Sequence, residues 1–146
     1  MLTNNRMPGY SGTPLPKKLG IKAGYRARLG NAPGDVRAEL RDALAECEMV
    51  QQGSALDFVM LFTKSRTELT TEFSRMAKLL TPAGMLWVSW PKKSSGVATD
   101  LDENVVREIG LAVGLVDVKV CAVTEVWSGL KFVRRVKDRT SKDRKK

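Results

Sequence analysis

The run from Leu56 to Phe62 limits the folds that this chain can adopt. Six of its seven residues are apolar, which is typical of a strand that is covered on both faces. Strands of that kind belong to parallel sheets, whose crossover connections place helices on both sides of the sheet. The whole chain of 146 residues has the length of one ordinary domain. The run therefore predicts an α/β fold with a parallel sheet.

Strand and helix patterns alternate on both sides of that run. Ser65 and Glu68 have the spacing of a capping box at the start of one helix, and Gly114 is placed to end another. The apolar spacing predicts helices over 35–44, 65–80 and 102–113, and strands over 25–29, 48–51, 56–62, 85–90, 116–127 and 130–136. This order predicts a Rossmann-like, mostly parallel sheet with helices on both faces. A C-terminal antiparallel hairpin is predicted to turn at Ser128–Gly129.

The two ends of the chain differ in composition from its middle. Residues 1–24 are rich in Pro, Gly and Lys, which predicts an extended N-terminal arm before a domain spanning 25–136. The formal net charge is +9, but residues 29–133 alone are net acidic, so the positive charge is concentrated in the ends. Residues 137–146 are predicted to be a disordered basic tail. Nucleic acid bound through Lys17, Lys18 and this tail is one possible partner.

The residue types exclude several chemistries. The chain has no histidine, so it cannot form a Ser–His–Asp triad, a Cys–His nucleophile or a His-ligated zinc site, and we predict no metal. Cys47 and Cys121 belong to no paired motif, which favours two reduced, buried thiols. No apolar run is long enough to cross a bilayer, and we expect no secretory signal. These features predict a soluble cytoplasmic protein without a membrane partner.

One loop at the predicted ligand edge carries lysines and hydroxyl groups. Ligands of a parallel α/β sheet bind outside the carboxyl ends of its strands. The loop after the fourth strand lies at such an end, and it contains Lys92, Lys93, Ser94 and Ser95. We predict that these residues bind a phosphate or another anion through ammonium, hydroxyl and amide groups. The alternative is an ordinary solvated loop.

Tryptophan side chains are predicted near the same edge. Trp87 and Trp90 fall on opposite faces of an extended strand, and Trp87 is assigned to the core. Trp90 and Trp127 are expected close to the carboxyl edge, where indole rings can stack on a base or another ring of a ligand. The alternative for both is plain packing.

Two segments resemble S-adenosylmethionine-dependent methyltransferases. The segment 20–34, GIKAGYRARLGNAPG, resembles their first strand and glycine loop, and 79–89, LLTPAGMLWVS, is similar to one of their later strands. The resemblance implies a shortened methyltransferase core in which Gly30, Asn31 and Gly34 bind the cofactor. Over residues 9–135 the chain also resembles an uncharacterised bacterial family of small proteins, a domain of unknown function. That second likeness is carried by GYSGTPLPKKLGIK, WVSWPKKSSG and EVWSGLK.

The chain departs from the methyltransferase pattern at three places. Arg28 replaces the acid that precedes the family's glycine loop, and Ala32 replaces the central glycine. The acid that usually holds the ribose hydroxyls has only Gln51–Gln52 in its place. The spacing between Asp35 and Leu56 leaves no room for the usual third strand and its helices, so part of the adenine pocket is predicted to be missing. S-adenosylmethionine is therefore not expected to bind in the usual way.

Three functions remain open to a chain of this kind. The one we predict is a non-catalytic binding or regulatory protein that has lost the cofactor site and binds an anionic ligand. The second is a divergent S-adenosylmethionine-dependent methyltransferase, with Asn31 near the methyl donor. The third is a nucleic-acid accessory protein. Saturable binding of S-adenosylmethionine, competed by its demethylated product, distinguishes the second function from the first.

Overall fold

The computed structural model describes residues 12–143, and side chains through Arg139. Predictions for residues 1–11 of the arm and 144–146 of the tail lie outside the described residues. The strands are β1 Arg26–Gly30, β2 Glu48–Met49, β3 Leu56–Phe62, β4 Leu80–Pro91, β5 Leu115–Ala122 and β6 Trp127–Arg134. The α-helices are α1 Leu15–Leu19, α2 Gly34–Leu44, α3 Arg66–Ala77, α4 Glu103–Val113 and α5 Val136–Asp143, and Lys93–Ser95 forms a single 3₁₀ turn.

The strands form one sheet in the order β2-β1-β3-β4-β6-β5. The first four strands in this order are parallel to one another, and β6 is antiparallel to both β4 and β5. This arrangement confirms the predicted α/β class with its C-terminal antiparallel pair. None of the helices in the described part of the chain is both long enough and apolar enough to cross a membrane.

Helices cover both faces of the sheet, as predicted. One face packs against α3 and α4 through Leu69, Phe73, Val106 and Ile109, together with Leu86 and Phe132 of the strands. The opposite face packs against α1 and α2 through Leu15, Leu19, Val36 and Leu40, together with Phe58 and Trp87. We call these the α3–α4 face and the α1–α2 face. A strand between two such layers is apolar on both sides, which is why the sequence of β3 is nearly continuous in apolar residues.

The predicted extended arm is wrong for residues 15–19, which form helix α1. Leu15 and Leu19 are buried in the core of the α1–α2 face. The indole Nε1 of Trp87 donates a hydrogen bond of 2.9 Å to the Leu19 carbonyl. Pro16 stands in the first turn, where its missing N–H costs nothing, and Gly20 ends the helix with a φ of 83°. The prolines and glycines of this segment therefore delimit a helix.

Two further boundaries differ from prediction near the C-terminus. The β5–β6 turn lies at 123–126, because the Val123 and Thr124 amides donate to the Trp127 carbonyl. Ser128 and Gly129, predicted to form the turn, instead pair with Trp90 and Ser89 of β4. The predicted disordered tail is wrong for the residues through Asp143, which belong to α5. Arg139 Nε holds the start of α5 by donating to the Arg134 carbonyl.

Strand β4 begins at Leu80, five residues earlier than predicted, and helix α3 ends earlier to match. Leu80 pairs with Leu56 of β3, and the register then shifts before Met85 pairs with Phe58. A side chain at Gly84 would place its Cβ 2.6 Å from the Leu56 carbonyl oxygen, so the close approach of the two strands requires glycine there. Gly84 therefore lies within the strand, beyond the end of α3.

Candidate functional site

A cleft opens at the carboxyl ends of β1 and β3, beside the first turns of α3. Its volume is about 270 Å³. The lining combines main chain from the β1–α2 turn with apolar and acidic side chains, namely Gly30, Asn31, Leu61, Phe62, Thr63, Glu68, Leu69 and Glu72. The position agrees with the rule that ligands of such sheets bind outside the carboxyl ends of the strands. This cleft is the candidate ligand site.

The glycine turn contributes two of its three predicted residues to the cleft. Asn31 has a φ of 59°, in the left-handed region, which turns the chain sharply after β1. A Cβ on Gly30 would lie 2.9 Å from Leu61 Cδ2, so glycine keeps the end of β1 close to β3. Gly34 is not part of the cleft lining. It begins α2, and a Cβ there would meet no atom within 4 Å.

Two carboxylates from α3 line the cleft, and sequence reasoning did not single them out as site residues. Glu68 Oε1 accepts a hydrogen bond of 2.6 Å from the Thr63 hydroxyl. Glu72 lies one turn further along the helix and forms an ion pair of 2.8 Å with Arg75. The capping box is the sequence signal for Glu68, because it places this residue in the first turn of the helix that follows a buried strand. Ser65 does cap the helix by accepting from the Glu68 amide, but the Glu68 carboxylate reaches Thr63 instead of the Ser65 amide.

Arg28, in the place of the family's acid, holds the crossover from β2 to β3. These two strands lie on opposite sides of β1, so residues 50–55 must cross β1 to connect them. Arg28 is only 9% exposed and donates to the Val50 carbonyl at 2.8 Å and the Gly53 carbonyl at 3.2 Å. Arg26 donates to the Ser54 and Ala55 carbonyls. The two guanidinium groups thus donate hydrogen bonds to backbone carbonyls of a short connection that is not itself part of a strand.

Removing the Arg28 guanidinium is expected to destabilise the chain. In Arg28→Met the Val50 and Gly53 carbonyls lose their donor, and the expected loss in the free energy of unfolding is about 1–3 kcal/mol. Urea unfolding followed by circular dichroism measures the change. Arg37→Met is the matched control, because the guanidinium of Arg37 is exposed and donates to the nearby Ala32 carbonyl. The control is expected to change stability by less than about 0.5 kcal/mol. Equal losses in the two variants would contradict the role assigned to Arg28.

The predicted anion loop makes most of its polar contacts within itself. The Ser95 hydroxyl donates to the Lys92 carbonyl and accepts from the Val97 amide. The Lys92 amide donates to the Val126 carbonyl, which ties the loop to the β5–β6 turn. A second cleft of about 270 Å³ takes in Lys93, but its lining does not include Lys92, Ser94 or Ser95. Anion binding by these four residues stays a prediction.

The structure does not bring Trp90 and Trp127 together as one stacking surface. Trp90 is 5% exposed and packs in the core of the α3–α4 face. Trp127 packs on the α1–α2 face, where its ring meets Phe62 edge-on with centroids 5.2 Å apart. The two rings lie on opposite faces of the sheet, and stacking of either ring on a ligand stays a prediction. Trp87 is fully buried, as predicted.

The cleft lining contains no cysteine, and the described part of the chain contains no cluster of metal ligands. Cys47 and Cys121 are half-buried and form no disulfide. Burial is the largest cause that raises the pKa of each thiol, although Lys18 and Lys119 partly lower the pKa of Cys121. A raised pKa keeps the unreactive thiol form at neutral pH. Among residues 12–143, no group of three or more acidic or cysteine side chains is placed to hold a metal ion.

Comparison with solved structures identifies proteins of the same fold. Magnesium protoporphyrin IX methyltransferase from Synechocystis PCC 6803 with bound SAH is 14% identical with a TM-score of 0.57, covering 83% of this chain and 78% of that chain. LepI in complex with SAM is 15% identical with a TM-score of 0.56, covering 91% and 50%. A putative methyltransferase from Thermoplasma acidophilum is 8% identical with a TM-score of 0.52, covering 86% and 76%.

Comparison of the sequence with known families and proteins identifies no relative. No protein-family model matches the chain, and no curated protein matches it in sequence. The resemblance to a bacterial family of small proteins therefore stays a prediction. At the identities found among solved structures, the likeness is evidence for architecture alone. The chain has a Rossmann-like α/β fold of the kind found in methyltransferases.

Proposed function

We propose that the chain binds an S-adenosylmethionine-type ligand in the cleft between the Gly30–Asn31 turn and α3. The observation that carries the proposal is the meeting of a tight, glycine-containing turn with two carboxylates at the carboxyl ends of β1 and β3. Two proteins of the same fold are described with bound SAH or SAM, which supports this ligand class. The proposal departs from the prediction that the cofactor is not bound in the usual way, because the carboxylates reach the cleft from another element.

The side chains of the cleft suit the amino-acid and ribose parts of such a ligand. Glu68 and Glu72 can accept hydrogen bonds from an ammonium group or from ribose hydroxyls. Asn31 can donate or accept through its side-chain amide. The end of β2 does not contribute to the lining, and Gln51 and Gln52 there are exposed. We therefore infer that the adenine end of the ligand is held more openly than the rest.

Methyl transfer is the reaction that this ligand would supply. The bound cofactor would donate its methyl group to an acceptor at the mouth of the cleft. Of the residues lining the cleft, only Glu68 and Glu72 have carboxylates that can take a proton from such an acceptor. Histidine is absent from the chain, so no imidazole can do so. The acceptor and the methyl-transfer activity are parts of the proposal.

A non-catalytic binding protein is the second candidate function. One observation favours it. Arg28 stands where the resemblance implies an acid, so no carboxylate is available there to contact a ligand. Its guanidinium instead donates to carbonyls of the 50–55 crossover. A protein of this kind would bind the adenosyl ligand without turning it over. Incubation with methyl-labelled S-adenosylmethionine and a panel of acceptors distinguishes the two candidates, since only the enzyme releases the demethylated product.

Glutamine variants of the two carboxylates test the proposed site. Isothermal titration of the full chain is expected to show one saturable site for S-adenosylmethionine and for its demethylated product. In Glu68→Gln/Glu72→Gln we expect affinity to fall at least about tenfold, because hydrogen bonds to charged groups contribute about 1.5–3 kcal/mol each. Glu39→Gln/Glu108→Gln removes the same charge from exposed positions on α2 and α4, and is expected to bind normally. An absence of binding to the unmodified chain would overturn the proposal, as would equal affinities for the two double variants.

A further inference from the structure

Two lysines stand directly opposite each other on β5 and β6. Lys119 pairs with Lys131 across the antiparallel ladder. Directly opposed side chains of such a pair lie on the same face of the sheet, where like charges are destabilising. Their common face is the α1–α2 face, because Lys131 also pairs with Trp87, which packs there. The fold thus brings two positive charges together.

Helix α1 and the turn that follows it add two more lysines to this surface. Lys119 Nζ donates a hydrogen bond of 2.9 Å to the Lys18 carbonyl, and Lys18 Nζ donates one of 3.1 Å to the Ala122 carbonyl. These bonds hold the end of α1 against β5. Lys22 follows two residues after the Gly20 cap. We call Lys18, Lys22, Lys119 and Lys131 the lysine cluster.

Negative charge does not balance Lys22, Lys119 and Lys131 in the described part of the chain. Among the described residues, no carboxylate lies within 4 Å of the ammonium group of Lys22, Lys119 or Lys131. Burial lowers the pKa of Lys131, and the charges of Lys119 and Lys22 lower it further. Asp117, the acid on β5, pairs with Arg107 of α4 on the opposite face at 2.9 Å. The free chain therefore carries a charge repulsion that an anion would relieve.

We propose that the lysine cluster binds the phosphate backbone of a nucleic acid. Lys22 and Lys119 are exposed, and β5 is the edge strand, so the surface is open along its length and suits an extended polyanion. A compact anion needs convergent donors, but the amides of Gly20 and Ile21 already donate to carbonyls of α1. The cluster lies on the α1–α2 face, whereas the cleft lies beside α3, so this site is independent of the proposed adenosyl site.

Salt-dependent binding of an oligonucleotide tests the site in the full chain. Fluorescence anisotropy with a labelled oligouridylate is measured between about 50 and 200 mM salt. Lys119→Ala/Lys131→Ala is expected to bind more weakly, with the slope of log K against log salt reduced by about 0.7 for each lysine removed. Lys119→Arg/Lys131→Arg keeps the charge and is expected to retain the slope. Lys64→Ala/Lys78→Ala removes two exposed lysines elsewhere and is expected to leave the slope unchanged.

Other outcomes of the experiment overturn the proposal. Equal slopes for the cluster variant and the Lys64/Lys78 control would do so, as would stabilisation by inorganic phosphate without oligonucleotide binding. The single variant Lys119→Ala guards against loss of folding, since this side chain is exposed, and about half of the slope change is expected from it. In the absence of nucleic acid, Lys131→Met is expected to raise the midpoint of thermal unfolding by removing the repulsion. A lower midpoint would contradict the inferred charge imbalance.

Discussion

Replacing Trp87 with alanine is expected to lower the free energy of unfolding by about 3–5 kcal/mol. The indole is fully buried between β4 and the helices of the α1–α2 face. Its removal leaves a cavity and also deprives the Leu19 carbonyl of the donor that ties α1 to the sheet. Urea unfolding followed by far-ultraviolet circular dichroism measures the loss without depending on tryptophan fluorescence.

Two comparison variants define what the Trp87 result means. Trp87→Phe retains most of the buried area but loses the hydrogen bond, so we expect a smaller loss of about 1–2 kcal/mol. Leu111→Ala, at a position 42% exposed on α4, is expected to cost less than about 1 kcal/mol. A loss below about 1 kcal/mol in Trp87→Ala would mean that the site collapses around the missing ring and that α1 contributes little to the core.

Gly110→Ala is the second substitution for which we expect a large effect. A Cβ at this position in α4 would lie closer than 3.0 Å to three atoms of the Phe132 ring. That ring is fully buried and meets Phe73 edge-on with centroids 5.0 Å apart, so it has little room to move. Overpacking of this kind costs about 1–3 kcal/mol or more, and the better helix propensity of alanine offsets at most about 1 kcal/mol. Because the Cβ would approach a ring that has little room to move, we expect the cost at the upper end of this range and a net loss of about 2 kcal/mol in urea unfolding.

A control variant separates overpacking at Gly110 from the general effect of replacing glycine with alanine in a helix. Gly34→Ala introduces the same methyl group at the start of α2, where no atom lies within 4 Å, and its stability is expected to stay within about 0.5 kcal/mol. In the Gly110→Ala background, Phe132→Leu is expected to recover part of the loss because it removes the clashing ring atoms. Unchanged stability in Gly110→Ala alone would show that α4 can move away from the sheet at little cost.

Sequence patterns predicted the sheet core well and its margins less well. The boundaries of β3 are those that its apolar run predicts, and α4 begins at Glu103, one residue after its predicted start at Asp102, which caps the helix. These are local signals: periodicity, capping side chains and a left-handed glycine all act within a few residues. The N-terminal segment was assigned wrongly because prolines and glycines both delimit helices and occur in extended chains. Only the burial of Leu15 and Leu19 in the core distinguishes a helix from an extended chain at this segment.

The candidate site was predicted in its position but only partly in its residues. Gly30 and Asn31, which the resemblance implies as cofactor-binding residues, line the cleft, and cofactor binding by them stays a prediction. The carboxylates of Glu68 and Glu72 were not singled out, because an acidic residue in the first turns of a helix is common and nothing local shows that it faces a cleft. The meaning of Arg28 also differs. The sequence shows only that Arg28 replaces an acid. The structure shows that its guanidinium donates hydrogen bonds to backbone carbonyls 22 and 25 positions further along the chain.

The sequence by itself determined that this is an α/β protein with a parallel sheet and helices on both faces, and it predicted a ligand site at the carboxyl ends of the strands. Each of these follows from the order of apolar runs and caps along the chain. Only the tertiary structure decided which polar groups meet at that edge, where Arg28 is committed, and that Lys119 faces Lys131. The physical reason is that these contacts join residues far apart in the chain, and their partners depend on strand order and register, which no local pattern encodes.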